Sequence, residues 1–336
     1  MVYSPKMYLD VFYFSIKKIK EKRHSRRSTR IITEDSFVSL QNFYNTISDV
    51  DNFPTRDLMK LFISNFDKEF LTNKDNSKAI SIPEGAYSFI KSESFCFGGG
   101  FEGGITGRTM ALYDTSDASQ KVDTIDKKKV TASTLFYLLW IPRDSLYGVL
   151  MVQKFSNMNC SSSIKDAVHH FFVKYGYRPF FSKYLPKEVT ETFLNDCILN
   201  RITIRHQQKR SDEQEDNELP ELKHTKLTST ISQFAISLGR FCKDRNLKDR
   251  IVSFVDSIDD NYREGDVVKL HYVNSRGESA SAKLEEANDI IPSIVLPDKC
   301  FDVENDTIDF EEVQNECLNL LSKIQTDNNY YPDENS

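Results

Sequence analysis

Between Lys17 and Arg30 the chain reads KKIKEKRHSRRSTR, eight Lys/Arg against the single acid Glu21, with Ser25, Ser28 and Thr29 between them. Cations and hydroxyls at this density suit the oxygens of a phosphate backbone, which they would position without reading sequence. Lys17, Lys18, Lys20, Lys22, Arg23, Arg26, Arg27 and Arg30 are therefore the candidate nucleic-acid-binding residues. A plainer alternative is a solvated charged face, and a third is a dock for an acidic partner, the chain's own tail included. The aromatics just upstream, in YLDVFYFSI (Tyr8 to Ile16), could stack on bases, yet their alternation fits packing in a sheet better.

Other reactive residue types form no reaction signature. FCFGGGFEGGITGRT (Phe95 to Thr109) invites comparison with a Walker loop, which needs Gly, four residues, then Gly-Lys-Ser/Thr. Counting back from Gly107, the first glycine falls on Glu102, whose carboxylate repels phosphate, and Arg108 replaces the lysine. The glycines of 98–107 are instead expected to form a wide turn between strands at 85–97 and 104–113. Glu102 and Asp144 then read as ordinary polar turn residues. A metal-dependent nuclease would want a strand acid two residues before a lysine, and LMVQK (Leu150 to Lys154) has Val152 in the acid's place. Neither Gly-x-Ser-x-Gly nor HExxH occurs. His169 and His170 are adjacent, so on a helix they point about 100° apart and cannot jointly chelate. The six cysteines show no C-x-x-C spacing and read as buried thiols. No catalytic residue, metal site or cofactor is expected, and the chain reads as a non-enzyme.

Those residues must be positioned by a sizeable fold. A chain of 336 residues with 39% hydrophobic and 12% aromatic content can bury a large core, which excludes a mostly disordered chain. Net charge is -6, but residues 1–30 hold nine Lys/Arg against two acids while 301–336 hold ten acids against Lys323. Because fields act over about a Debye length of 8 to 10 Å, the overall acidity does not exclude a polyanion at the basic end. The longest apolar run, Leu135 to Ile141, is far short of a membrane span, and the N-terminus lacks signal-peptide features. A cytosolic location is expected, with no membrane insertion.

Tyr8 to Ile16 predicts a central strand, and Asp35-Ser36 is expected to cap a helix presenting Phe37, Leu40, Tyr44 and Ile47. A helix or turn covers Thr55 to Phe66, and Lys121 to Lys129 reads as a charged, mobile connector. TLFYLLWIPRDSLYGVLMVQKF (Thr134 to Phe155) predicts two strands around a Pro-Arg-Asp-Ser turn. A helix from a Ser161–Ser163 cap to Tyr175 follows, with Ile164, Val168, Phe171 and Phe172 inward. Next come a helix from Lys187 to Leu199 and an edge strand, RITIRH (Arg201 to His206). The acidic, aromatic-free stretch 207–222 reads as a linker. Beyond it come a helix at Asp244 to Ile258, strands at Val267 to Val273 and Ser279 to Glu285, and a helix at Asp309 to Ile324. The fold class is α+β, with mixed, mainly antiparallel sheets and packed helices in two domains. Their expected spans are 1–206 and 223–325, with residues 326–336 a disordered tail.

The module from Thr134 to His206, with GVLMVQKF, a Ser-headed helix and FLNDCILNRITIR closing on a strand, resembles the middle part of the Rex phage-exclusion A family and related bacterial defence-island proteins. That resemblance covers about a fifth of the chain. It implies a cytosolic sensor or regulator of anti-phage defence (abortive infection) that binds duplex DNA, acts as an oligomer and signals to a separate effector protein. The alternatives are a metal-dependent nuclease and a protein-interaction adaptor working through the acidic tail.

Overall fold

The computed structural model describes residues 5–24, 29–48, 53–66, 69–73, 76–114, 116–156, 158–184, 197–205, 228–237, 267–274, 279–283 and 294–328. By its contacts the chain divides into two units, residues 1–184 with 294–336, and residues 185–293. The acidic stretch 207–222, the helix expected at 244–258 and residues 329–336 lie outside the described residues.

In the first unit the elements are β1 (Met7–His24), β2 (Thr29–Thr33), α1 (Leu40–Ile47), α2 (Thr55–Ile63), β3 (Leu71–Thr72), β4 (Lys78–Ser81), β5 (Ser88–Lys91), β6 (Cys96–Ile105), β7 (Met110–Asp114), β8 (Asp117–Ile125), β9 (Thr131–Trp140), β10 (Gly148–Phe155), α3 (Ser161–Lys174) and β11 (Tyr177–Lys183). The second unit holds β12 (Cys197–Arg205), β13 (Thr228–Ser237), β14 (Val267–Asn274) and β15 (Ser279–Lys283). The chain then returns to the first unit with β16 (Ile294–Val295), β17 (Phe301–Asp302), β18 (Thr307–Ile308) and α4 (Phe310–Asp327). Every ladder among these described strands is antiparallel, so the α+β class and its antiparallel character hold while the expected mixture with parallel pairs is not seen among them.

The large sheet runs β11-β1-β10-β9-β6-β4-β3, with β2 and β16 also paired to β1 and β5 to β6. Strand alternation sends Phe12, Phe14 and Ile16 of β1 to one face and Met7, Leu9 and Val11 to the other. The first face meets α1, α2 and α3 through Phe43, Phe62, Phe171 and Phe172, all fully buried. The second meets α4 through Val313, Cys317, Leu321 and Ile324. Each such side chain contributes about 1.5 to 3 kcal/mol, so the phenylalanines dominate the first core. The inward positions expected for α3 are all buried.

Several expected elements are placed differently. The glycines of 98–104 are no turn: they lie inside β6, and only Gly107, at φ +80°, is in a left-handed bend. Their reason is close approach, since a Cβ on Gly98 would strike the Tyr137 carbonyl and one on Gly104 the Thr131 carbonyl, both on the neighbouring β9. α1 starts at Leu40 and is capped by Ser39, whose Oγ accepts from the Gln41 N–H, because Glu34 and Val38 are held along β1 by bonds to Lys18 and Ile16. Phe37 therefore stays outside the helix. The supposed connector at 121–129 begins within β8, and the Thr106 hydroxyl ties its end by donating to the Lys129 carbonyl. The serines do not cap α3; Asn159 Oδ1 accepts from the Ser161 N–H instead. Residues 197–199 are strand rather than helix, while 187–196 lie outside the described residues. β12, expected at an edge, pairs on both sides, in the order β13-β12-β14-β15. α4 extends past Ile324 through Thr326 and Asp327.

Candidate nucleic-acid interface

β1 is 18 residues long, roughly 60 Å of extended chain, and overruns the body of the sheet. Beyond Lys18 its partner is β2, with Ile19 opposite Thr33, then a bulge, then Lys22 opposite Ile31, Arg23 opposite Arg30 and His24 opposite Thr29. Residues 19–24 and 29–33 thus form a two-stranded ribbon growing out of β1, and the bulge increases its twist. Lys18 and Lys20 are exposed. Lys22, Arg23 and Arg30 hold backbone positions on the ribbon, and Arg26 and Arg27 lie outside the described residues.

Lys17 sits at the ribbon's root and is more confined. Its Nζ donates to the Asp35 carbonyl at 2.6 Å and lies 4.7 Å from the Phe37 ring centroid and 5.5 Å from that of Phe180. Arg178, directly opposite Lys17 on β11, places its guanidinium carbon 5.3 Å from the Phe180 ring. Cations over ring faces are held by the ring quadrupole. Arg178, Phe37 and Phe180 were not among the sequence candidates. The alternating YRPFFSK carried a signal, because a proline inside an aromatic run marks a sheet edge, and β11 is the edge strand.

Behind the root, β1 is fixed by a buried carboxylate. Asp10 accepts from Lys154 Nζ at 2.9 and 3.0 Å and from the Ser161 hydroxyl at 2.9 Å, and Lys183 Nζ lies 3.4 Å away. These partners come from β10, α3 and β11, so one side chain ties three elements to β1. Burial pushes the Lys183 ammonium below the ordinary lysine range, with repulsion from Lys154 and Lys165 adding to it while Asp10 opposes. Ser161 is buried, so its hydroxyl serves this network rather than acting as a nucleophile.

Of the stretches weighed for catalysis, LMVQK supplies Lys154 to this network. Glu102 lies on β6, accepts from the Thr134 hydroxyl at 2.8 Å and lines an open cavity of about 390 Å³ with Pro5, Ser133, Phe155 and Asp306. That lining has two carboxylates and no cation, which disfavours phosphate. Cys96, Cys160, Cys300 and Cys317 are free and buried, and burial raises each thiol, Cys300 to about 11. They remain unreactive thiols near neutral pH. Among the described residues no group of His, Cys, Asp and Glu could hold a metal ion, and no helix is long and apolar enough to cross a membrane.

No protein-family model, curated protein or solved structure matches the chain.

Proposed function

We propose that this chain is a two-domain, cytosolic nucleic-acid-binding protein, acting on DNA as a sensor or regulator of anti-phage defence. The observation that carries the binding reading is the folding of the basic run into a β-ribbon that leaves the sheet. A two-stranded ribbon has the width that the major groove of duplex DNA admits, and the basic positions of β1, with Arg30 on β2, suit the adjoining phosphates. The defence role, the separate effector and the oligomer rest on the resemblance of Thr134 to His206 alone.

The test is salt-dependent binding to duplex DNA, with and without a divalent metal. If about five phosphates are neutralised, log K falls against log salt with a slope of roughly -4 to -5. Replacing Arg23, Arg26 and Arg27 by Ala should remove up to about three units of that slope and weaken all sequences alike. An unchanged slope in a folded triple variant would reduce the ribbon to a solvated face. Metal-dependent cleavage would favour a nuclease instead.

A further inference from the structure

The ribbon's root carries more than charge. On β1 and β11 the pairs Lys17–Arg178 and Ser15–Phe180 stand side by side on one face of the sheet, and Phe37 packs edge-on against Phe180 with centroids 5.8 Å apart. Phe37 is 47% exposed and Phe180 38%. Strand alternation sends Phe181 into the first core, where it packs on Phe14, and leaves Phe180 on the opposite face. Two phenyl rings stand partly in water with Lys17 and Arg178 against them.

A clamp for segment 34–38 already exists without the rings, in the Lys17 bond to Asp35 and the backbone bonds of Glu34 and Val38. A paired base inside a duplex shows no face to such rings, whereas an unpaired base does, and its phosphates meet the flanking cations. We infer that Phe37 and Phe180, with Lys17 and Arg178, form a stacking platform for unpaired bases of a single-stranded nucleic acid. The occupant follows from charge complementarity: partly exposed rings set against cations call for a polyanion that carries flat apolar groups. This inference rests on the ribbon's phosphate-binding reading and adds a second ligand class, unpaired strands beside the duplex that the ribbon fits.

The experiment compares full-length protein binding to three labelled probes of matched length: oligothymidylate, an abasic strand of equal charge, and a duplex. The expected result is that oligothymidylate binds roughly tenfold or more tighter than the abasic strand, since stacking contributes about 1 to 3 kcal/mol per base. Phe37→Leu and Phe180→Leu, which keep apolar bulk and remove the π face, should bring oligothymidylate towards the abasic strand's affinity. Thermal midpoints of both variants establish that they fold. Equal affinity of the thymidylate and abasic strands for the unaltered protein overturns the platform while leaving phosphate binding intact. Salt-insensitive failure to bind any probe sinks the phosphate reading and the platform with it. A ring variant that weakens a bound protein while thymidylate binding is unmoved would reassign the rings to a protein partner.

Discussion

Asp10 has a side chain 4% exposed, wedged between Lys154, whose own side chain is 15% exposed, and Lys183. Removing it strands a desolvated ammonium, and breaking a buried pair from one side costs about 3 to 5 kcal/mol. Asp10→Ala should therefore lower stability by about 3 kcal/mol. Lys60→Ala, which breaks the exposed pair with Asp57, should cost less than about 1 kcal/mol. Urea titration of both variants checks the contrast, and equal effects would show that the Asp10 network is not what holds β1. At this scale the sequence told residue type better than environment. The cations of 17–30 were legible as a cluster because their density is local. Asp10 was only one acid among alternating aromatics, since its three partners arrive from residues 154, 161 and 183. Phe37 and Phe180 were missed for the same reason: exposure belongs to the folded surface, and an apolar residue near a helix start reads as core.

Elements whose period survives in the sequence were readable, and those shaped by neighbours were not. β9 and β10 around the Pro-Arg-Asp-Ser turn and the buried stripe of α3 follow from alternation and helical spacing. β6 could not be read that way, because its glycines have no side chains to alternate and glycine is more often a turn former. Its logic is backbone proximity: β9 on one side, and β5 with the Tyr87 carbonyl before it on the other, come close enough to fill the space of several missing Cβ atoms. Gly104→Val should accordingly destabilise by about 3 kcal/mol or more, because the obstacle is the Thr131 backbone and not a movable side chain. Gly85→Ala meets no atom within 4 Å and carries only the strain of φ +82°, about 1 kcal/mol. Chemical denaturation ranks the two, and the reverse order would return the glycine strand to a turn-like role.

For the whole molecule, the pairings of β1 explain how one unit interrupts the other. β10 occupies one edge of β1 from Met7 to Phe14, so β11, opposite Phe12 to Lys18, and β16, opposite Tyr8 and Leu9, share the other edge. Tyr184 extends β11 by donating its N–H to the Val11 carbonyl, and Ile294 resumes opposite Leu9. Residues 185–293 thus leave and re-enter the first unit at neighbouring points of one strand lane, with Asp10 at the gap. No local pattern announces such an insertion, since the return strand is two residues long and its partner lies far upstream. Ends this close are what tolerated domain insertions have. Replacing residues 185–293 by a Gly/Ser linker of about three residues, enough to bridge a gap of roughly 7 Å, should leave the first unit folding cooperatively. Among the described residues, both cores of that unit draw only on residues outside 185–293, the α4 face included. The thermal midpoint should stay within a few degrees, and the salt slope on duplex DNA should persist, because the ribbon and its root belong to the retained unit. Loss of a cooperative transition would mean that the first core depends on residues 185–293. A retained fold with an abolished salt slope would move the phosphate contacts to the excised segment, where Arg201, Lys269 and His271 lie on one sheet face.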